Sequence, residues 1–167
     1  MTGKGSLNHN SRKFHAKNTD PNRTHWNVEY CNEDIKDVYH ELFDDALKRY
    51  NDKQTRKDRK IDDYYEKIRS GKQEKLFHEV ILQIGDKDNM GSETMEGQLA
   101  AKILDEYMKG FQERNPTLRV FAAHLHLDEA TPHLHIDFIP YVTGSKRGLD
   151  TSCLLYTSPS PRDPKTS

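Results

Sequence analysis

Ten residues constrain this chain more than any others: His126-Leu127-Asp128-Glu129-Ala130-Thr131-Pro132-His133-Leu134-His135. Apolar, strand-like segments flank them, Leu118 to Leu127 before and Leu134 to Val142 after. Asp128 to Pro132 supply turn chemistry, because Pro132 has no amide for a ladder and Asp128 can cap a turn. Side chains two apart on a strand share a face, so His133 and His135 point the same way. Paired as a hairpin, the two segments bring His126 opposite them at the same sheet end, with Glu129 on the loop above. Three imidazoles around one point, with a position left open, suit a catalytic metal site better than a closed structural one. His124 reads as an ordinary strand histidine, exposed or satisfied.

With 167 residues the chain can bury one core, and its length suggests a single domain. Its hydrophobic and charged fractions are nearly equal, 33% and 32%, so much of it must be solvated helix surface or loop. No apolar run approaches the roughly eighteen residues of a membrane span, and the start lacks a secretory apolar region. Cys31 and Cys153 do not make a disulfide framework, so a reducing cytoplasm is expected. A net charge of −1 hides two basic blocks. Residues 1–27 carry Lys4, Arg12, Lys13, Lys17 and Arg23 against Asp20 alone. Residues 48–60 carry seven Lys and Arg against Asp52 and Asp58. Such blocks in a neutral protein point to an anionic polymer, although the second also reads as a solvated face.

Residues 1–27 show no helix or strand period, yet they are dense in Asn, Asp, Thr and Pro. That density indicates a loop shaped by side chain to backbone hydrogen bonds. From Asn32, taken as an N-cap, Ile35, Val38, Tyr39, Leu42, Phe43, Ala46, Leu47 and Tyr50 recur at helical steps. A second helix is expected from about Lys60 to Ser70, ended by Gly71, and a strand from Leu76 to Ile84. A third helix spans Met95 to Glu113, with Leu99, Ile103, Tyr107 and Phe111 as its apolar stripe, widened by Ala100, Leu104 and Met108, and Asn115-Pro116 as its stop. The class is α+β: helices covering one face of a largely antiparallel sheet. Gly144 to Gly148 read as a basic loop. The stretch from residue 152 to 167 breaks all periodicity and resembles translated sequencing-adapter DNA, so we expect a domain over 1–151 followed by a non-native, disordered tail.

The pattern His-x-Asp-Glu-x-x-Pro-His-x-His resembles the third motif of the MobV relaxases, the Mob/Pre plasmid mobilisation and recombination proteins. These belong to the HUH endonucleases, whose His-hydrophobe-His pair is here His133-Leu134-His135. His9-Asn10-Ser11-Arg12 is similar to the family's first motif, and Asn18, Asp20, Arg23 and Asn27 to its second. All three stand in the family's order. The resemblance implies an HUH-like sheet and a relaxase that nicks one strand of plasmid DNA at a transfer origin. Such an enzyme stays joined to the 5′ phosphate and later reseals the ends. It implies His126, His133 and His135 as metal ligands, His9 as nucleophile, Arg12 as a phosphate-holding or orienting residue and Glu129 as its neighbour. Asp128 is expected in the turn. Lys13, Asn18, Asp20, Arg23, Trp26 and Asn27 are the expected DNA contacts. A tyrosine is the alternative nucleophile, since other HUH enzymes use one.

Three imidazoles alone would favour zinc, nickel or copper. The resemblance implies Mn2+ or Mg2+, hard ions suited to phosphoryl oxygens, and manganese ranks first because it tolerates imidazole better. A neutral imidazole is a usable nucleophile near pH 7, and a phosphoramidate would retain enough bond energy for resealing. The expected partner is plasmid DNA, single-stranded or hairpin, with a dimer formed through a region beyond this chain. A rolling-circle initiator and a non-catalytic DNA-binding fragment are the alternatives.

Overall fold

The computed structural model describes residues 2–3 and 6–142; the basic loop expected at 144–148 and the expected tail lie outside them. Ten elements follow in order: β1 (Thr2–Gly3), α1 (Leu7–Asn10), β2 (Val28–Asn32), α2 (Ile35–Asp52), α3 (Tyr64–Ser70), β3 (His78–Gln83), α4 (Met95–Lys109), α5 (Phe111–Arg114), β4 (Leu118–His126) and β5 (His133–Pro140). The strands form one sheet in the order β1-β3-β5-β4-β2 with every pair antiparallel. This is the α+β class expected. The hairpin of β4 and β5 sits at the centre.

Alternation along β5 divides its side chains between two cores. Leu134, Ile136 and Phe138 join Val80, Leu118 and Leu125 under Leu104 and Met108 of α4 and Phe111 of α5. On the opposite face, Ile139 packs with Phe121, Phe77 and the α2 and α3 residues Val38, Tyr39, Phe43, Tyr64 and Ile68. One face is thus covered as expected, by α4 and α5. The α2–α3 pair adds a cover on part of the other, leaving its far end to the histidines. A bulge in β4 makes this possible: Val120 pairs with Phe138 but Ala122 with Asp137, so Phe121 is the extra residue. Beyond it His124 stands opposite His135, and His126 opposite His133.

Several local expectations are corrected. Asn32 does not cap α2; it ends β2, a strand hidden by its shortness, and pairs with Ala122. The cap is Asp34, whose carboxylate accepts from the amides of Lys36 at 2.8 Å and Asp37 at 3.4 Å. The second helix starts late, at Tyr64, where Asp63 caps it. The helix expected over Met95 to Glu113 breaks at Gly110 into α4 and α5. The expected stripe on α4 faces outward, with Leu99 60%, Ile103 47% and Tyr107 39% exposed, while Phe111 is buried. Ala101, Leu104 and Met108 take the sheet side instead, Ala100 is buried beside them, and Gly97 lets the helix start pass against the Gly91 backbone, where a Cβ would collide with the Gly91 carbonyl oxygen. Among the described residues no helix is long and apolar enough to cross a membrane.

Candidate active site

His126 closes β4 and His133 opens β5, so their rings meet across the hairpin mouth, and His135 follows on the same face. One ring nitrogen from each lies within 4.8 Å of the others. A second nitrogen on each ring is anchored. His133 Nδ1 meets the carbonyl of Thr131 at 2.9 Å, His126 Nε2 the carbonyl of Asn10 at 2.8 Å, and His135 Nδ1 the Glu79 carboxylate at 3.1 Å. Carbonyl and carboxylate oxygens only accept, so these nitrogens carry the hydrogens and the remaining ones carry lone pairs. His126 Nδ1 and His133 Nε2 then face each other as two acceptors 3.4 Å apart. His135 Nε2 is buried with no partner. Facing acceptors and an orphaned lone pair fit a cation as ligands would. Burial holds His126 neutral, its pKa pushed down to about 2, and lowers that of His133 as well. His124, buried beside them, meets Glu29 through Nε2 at 3.1 Å, while its Nδ1 is buried without a partner.

The first motif lies over this cluster. His9 is in α1, and Arg12 follows at φ 53°, a left-handed conformation that turns its guanidinium back across the site. Arg12 donates to both oxygens of Asp128, at 2.9 and 2.5 Å, to Glu129 at 2.8 Å and to His9 Nε2 at 3.2 Å. Burial pushes the Asp128 carboxyl up, but the Arg12 fork and Thr24 hold it down at about 2. Glu129 stands between the two groups: one oxygen is 3.4 Å from His9 Nε2 and the other 3.7 Å from His133 Nε2. The expected catalytic trio and metal trio therefore share one place.

The second motif clamps the turn between the histidine strands. Asn18 donates to Glu129 at 2.9 Å. The amide of Asp20 donates to the Asp128 carbonyl at 2.7 Å, and Arg23 reaches the carbonyls of Leu127 and Glu129, each at 3.3 Å. Asn27 Oδ1 accepts from the amides of Leu127 and Asp128, at 2.7 and 3.2 Å. Lys13 and Trp26 are exposed. Three buried polar residues escaped the sequence reading: Asn10, Glu79 and Asp137. For two of them a signal was present, since Glu79 and Asp137 interrupt apolar strands, and Asp137 lies two positions past His135. Burial and the adjacent Glu79 raise the pKa of Asp137; burial also pushes Glu79 up, but His135 and Asn10 outweigh it and lower it.

A family model described as plasmid recombination enzyme, Mob_Pre, matches residues 4–152. The chain belongs to the Mob/Pre family. Three solved structures of the MobM relaxase domain (MOBV; Mob_Pre), manganese-bound and in complex with plasmid pMV158 oriT DNA, are similar to it. The forms at pH 5.5 and 4.6 show 26% and 27% identity with TM-scores of 0.45 and 0.46; the 3′-thiophosphate complex at pH 6.8 shows 24% and 0.44. Each alignment covers 83% of this chain and 64% of the other, so the chain spans less than two thirds of those domains. No curated protein matches. In this Mob/Pre chain a cleft of about 270 Å³ is lined by His9, Asn18, Ile81, Gln83, Glu129, Ala130, Thr131, His133 and His135. No tyrosine is among them.

Proposed function

We propose that this Mob/Pre domain is a relaxase, a metal-dependent enzyme that nicks one strand of plasmid DNA at a transfer origin and later reseals it. The observation that carries the reading is His9, gripped by Arg12 and facing Glu129, in the same cleft as His133 and His135. His126, His133 and His135 would hold a divalent ion, manganese or magnesium by family resemblance. When bound, it would supply Lewis-acid neutralisation of the phosphoryl oxygens. His9 attacks phosphorus: a nitrogen–phosphorus bond forms as the bond to the 3′ oxygen breaks, and resealing reverses both. Glu129 orients His9, directly and through Arg12, and its carboxylate favours the cationic charge that develops on the attacking imidazole. Arg12, already bound to Asp128 and Glu129, acts mainly by fixing His9. Lys13 and Trp26 contact the strand directly, through phosphate and base stacking, while Asn18, Asp20, Arg23 and Asn27 act on it by shaping the turn.

The test is incubation of the protein with manganese and a supercoiled plasmid bearing its cognate origin. Relaxed product with covalently bound protein, located on His9 by mass analysis and absent from His9→Ala, is the expected result. A mobility shift without nicking would make the chain a DNA-binding module. An adduct unchanged in His9→Ala would place the nucleophile elsewhere.

A further inference from the structure

The side chain directly after His9 turns inward. Asn10 is 2% exposed, in a stretch of polar residues that are otherwise mostly at the surface. Its amide nitrogen donates to Glu79 on β3 and, at 3.2 Å, to Asp137 on β5. Its backbone carbonyl accepts from His126 Nε2 at 2.8 Å. Glu79, through the same oxygen that Asn10 reaches, accepts from His135 Nδ1 at 3.1 Å. One residue thus bears on two of the three imidazoles. Through its carbonyl it fixes which His126 nitrogen carries hydrogen. Through Glu79 it holds in place the carboxylate that does the same for His135.

α1 has four residues, too few to be helical by itself, and its cap is a long contact of 3.4 Å from the His9 amide to Ser6. Its position therefore depends on what its side chains grip. At its C-terminal end Asn10 grips Glu79, Asp137 and His126, and Arg12 just beyond grips Asp128 and Glu129, while Leu7 at the start packs on the α2–α3 core.

We propose that Asn10 is a positioning residue that couples docking of the His9 segment to loading of the three-histidine site. Metal binding tightens the segment, and a docked segment raises metal affinity by the same factor, because linkage is reciprocal. The inference rests on reading His126, His133 and His135 as a metal centre. Its consequence is that the nucleophile is presented only when the ion is in place.

The experiment has two readouts, neither of them activity. Titration calorimetry with manganese alone, on the full chain at neutral pH, should give His9→Ala the wild-type affinity within about twofold, since no metal-binding nitrogen hydrogen-bonds its ring. Asn10→Ala should bind manganese about 10- to 100-fold more weakly, the usual cost of losing an outer partner of a metal ligand. Hydrogen exchange on the wild type needs no variant: amide protection of residues 10–12 should rise with manganese, while that of Leu134 to Phe138 changes little. In Asn10→Ala the manganese-dependent rise should vanish. Manganese binding with affinity unchanged in Asn10→Ala, or with no added protection at 10–12 in the wild type, would overturn the coupling and leave the metal centre intact. Failure of the wild type to bind manganese would remove the metal centre itself, and the coupling with it.

Discussion

Arg12→Ala should destabilise the fold far more than an ordinary surface change. The Arg12 side chain is 8% exposed and that of Asp128 0%, so solvent screens their contact little. Removing the guanidinium leaves Asp128 a buried carboxylate with Thr24 as its remaining side-chain hydroxyl donor, at 3.1 Å. Breaking one partner of a buried pair costs about 3–5 kcal/mol. A second route gives a similar scale: a carboxyl held at about 2 instead of 3.8 contributes about 2 kcal/mol at neutral pH. That contribution is present above the unfolded carboxyl value and is lost as pH falls through the folded one. Alanine keeps the left-handed backbone at position 12, so strain there is common to both proteins. We expect a loss of about 3 kcal/mol, read as a urea midpoint lower by about 1–2 M in metal-free protein at pH 7.5. The double variant Arg12→Ala/Asp128→Asn should recover at least half, because an amide needs no countercharge. A loss under about 1 kcal/mol, or one undiminished in the double variant, would refute the claim that buried charge is the cause.

His126→Ala should abolish measurable manganese binding while circular dichroism retains the sheet signature; retained binding would remove His126 from the ligand set. In metal-free protein, His126 and His133 stay neutral below pH 6.5 while their unfolded counterparts take up protons. Stability should therefore fall on acidification, by about 2 kcal/mol for His126 between pH 6.5 and 5 with His133 adding in the same direction, and a flat denaturation profile would contradict their burial. Glu129→Gln should slow nicking on the order of 10²- to 10⁴-fold with origin binding nearly unchanged; equal losses in both would make Glu129 structural. Thr94→Ala should cost about 1 kcal/mol, because its hydroxyl caps α4 at the Gly97 amide, and an unchanged melting profile would dismiss the cap.

The central hairpin was legible because its signals agree: alternation, Pro132 in the turn, and imidazoles at i and i+2. The nearness of His9 and Arg12 to it was legible only through family likeness, since no local rule joins residues more than a hundred apart. The facing of α4 misled. Two apolar lines compete for the sheet, and the one through Ala101, Leu104 and Met108 wins over Leu99, Ile103 and Tyr107, because Gly97 must face the Gly91 backbone and so sets the rotation of the helix. Asn10 carried no signal of its own, because its value comes from two strands that meet it only in the folded chain.

The extra residue at Phe121 makes β4 a strand that changes parity along its length. Counted from Leu118, even steps reach the α4 side up to Val120; after Phe121 and Ala122, which both turn to the opposite core, odd steps do, at Ala123 and Leu125. Deleting Phe121 would straighten the ladder and leave both halves facing as they do, because Ala122 alone would then follow Val120 opposite Asp137, at the cost of a buried ring in the α2–α3 core. A one-residue insertion between Ala122 and His126 would turn that imidazole into the α4 side of the sheet. Past the bulge the strand can thus change length only in twos without moving its imidazole, whereas at the bulge it can lose one residue.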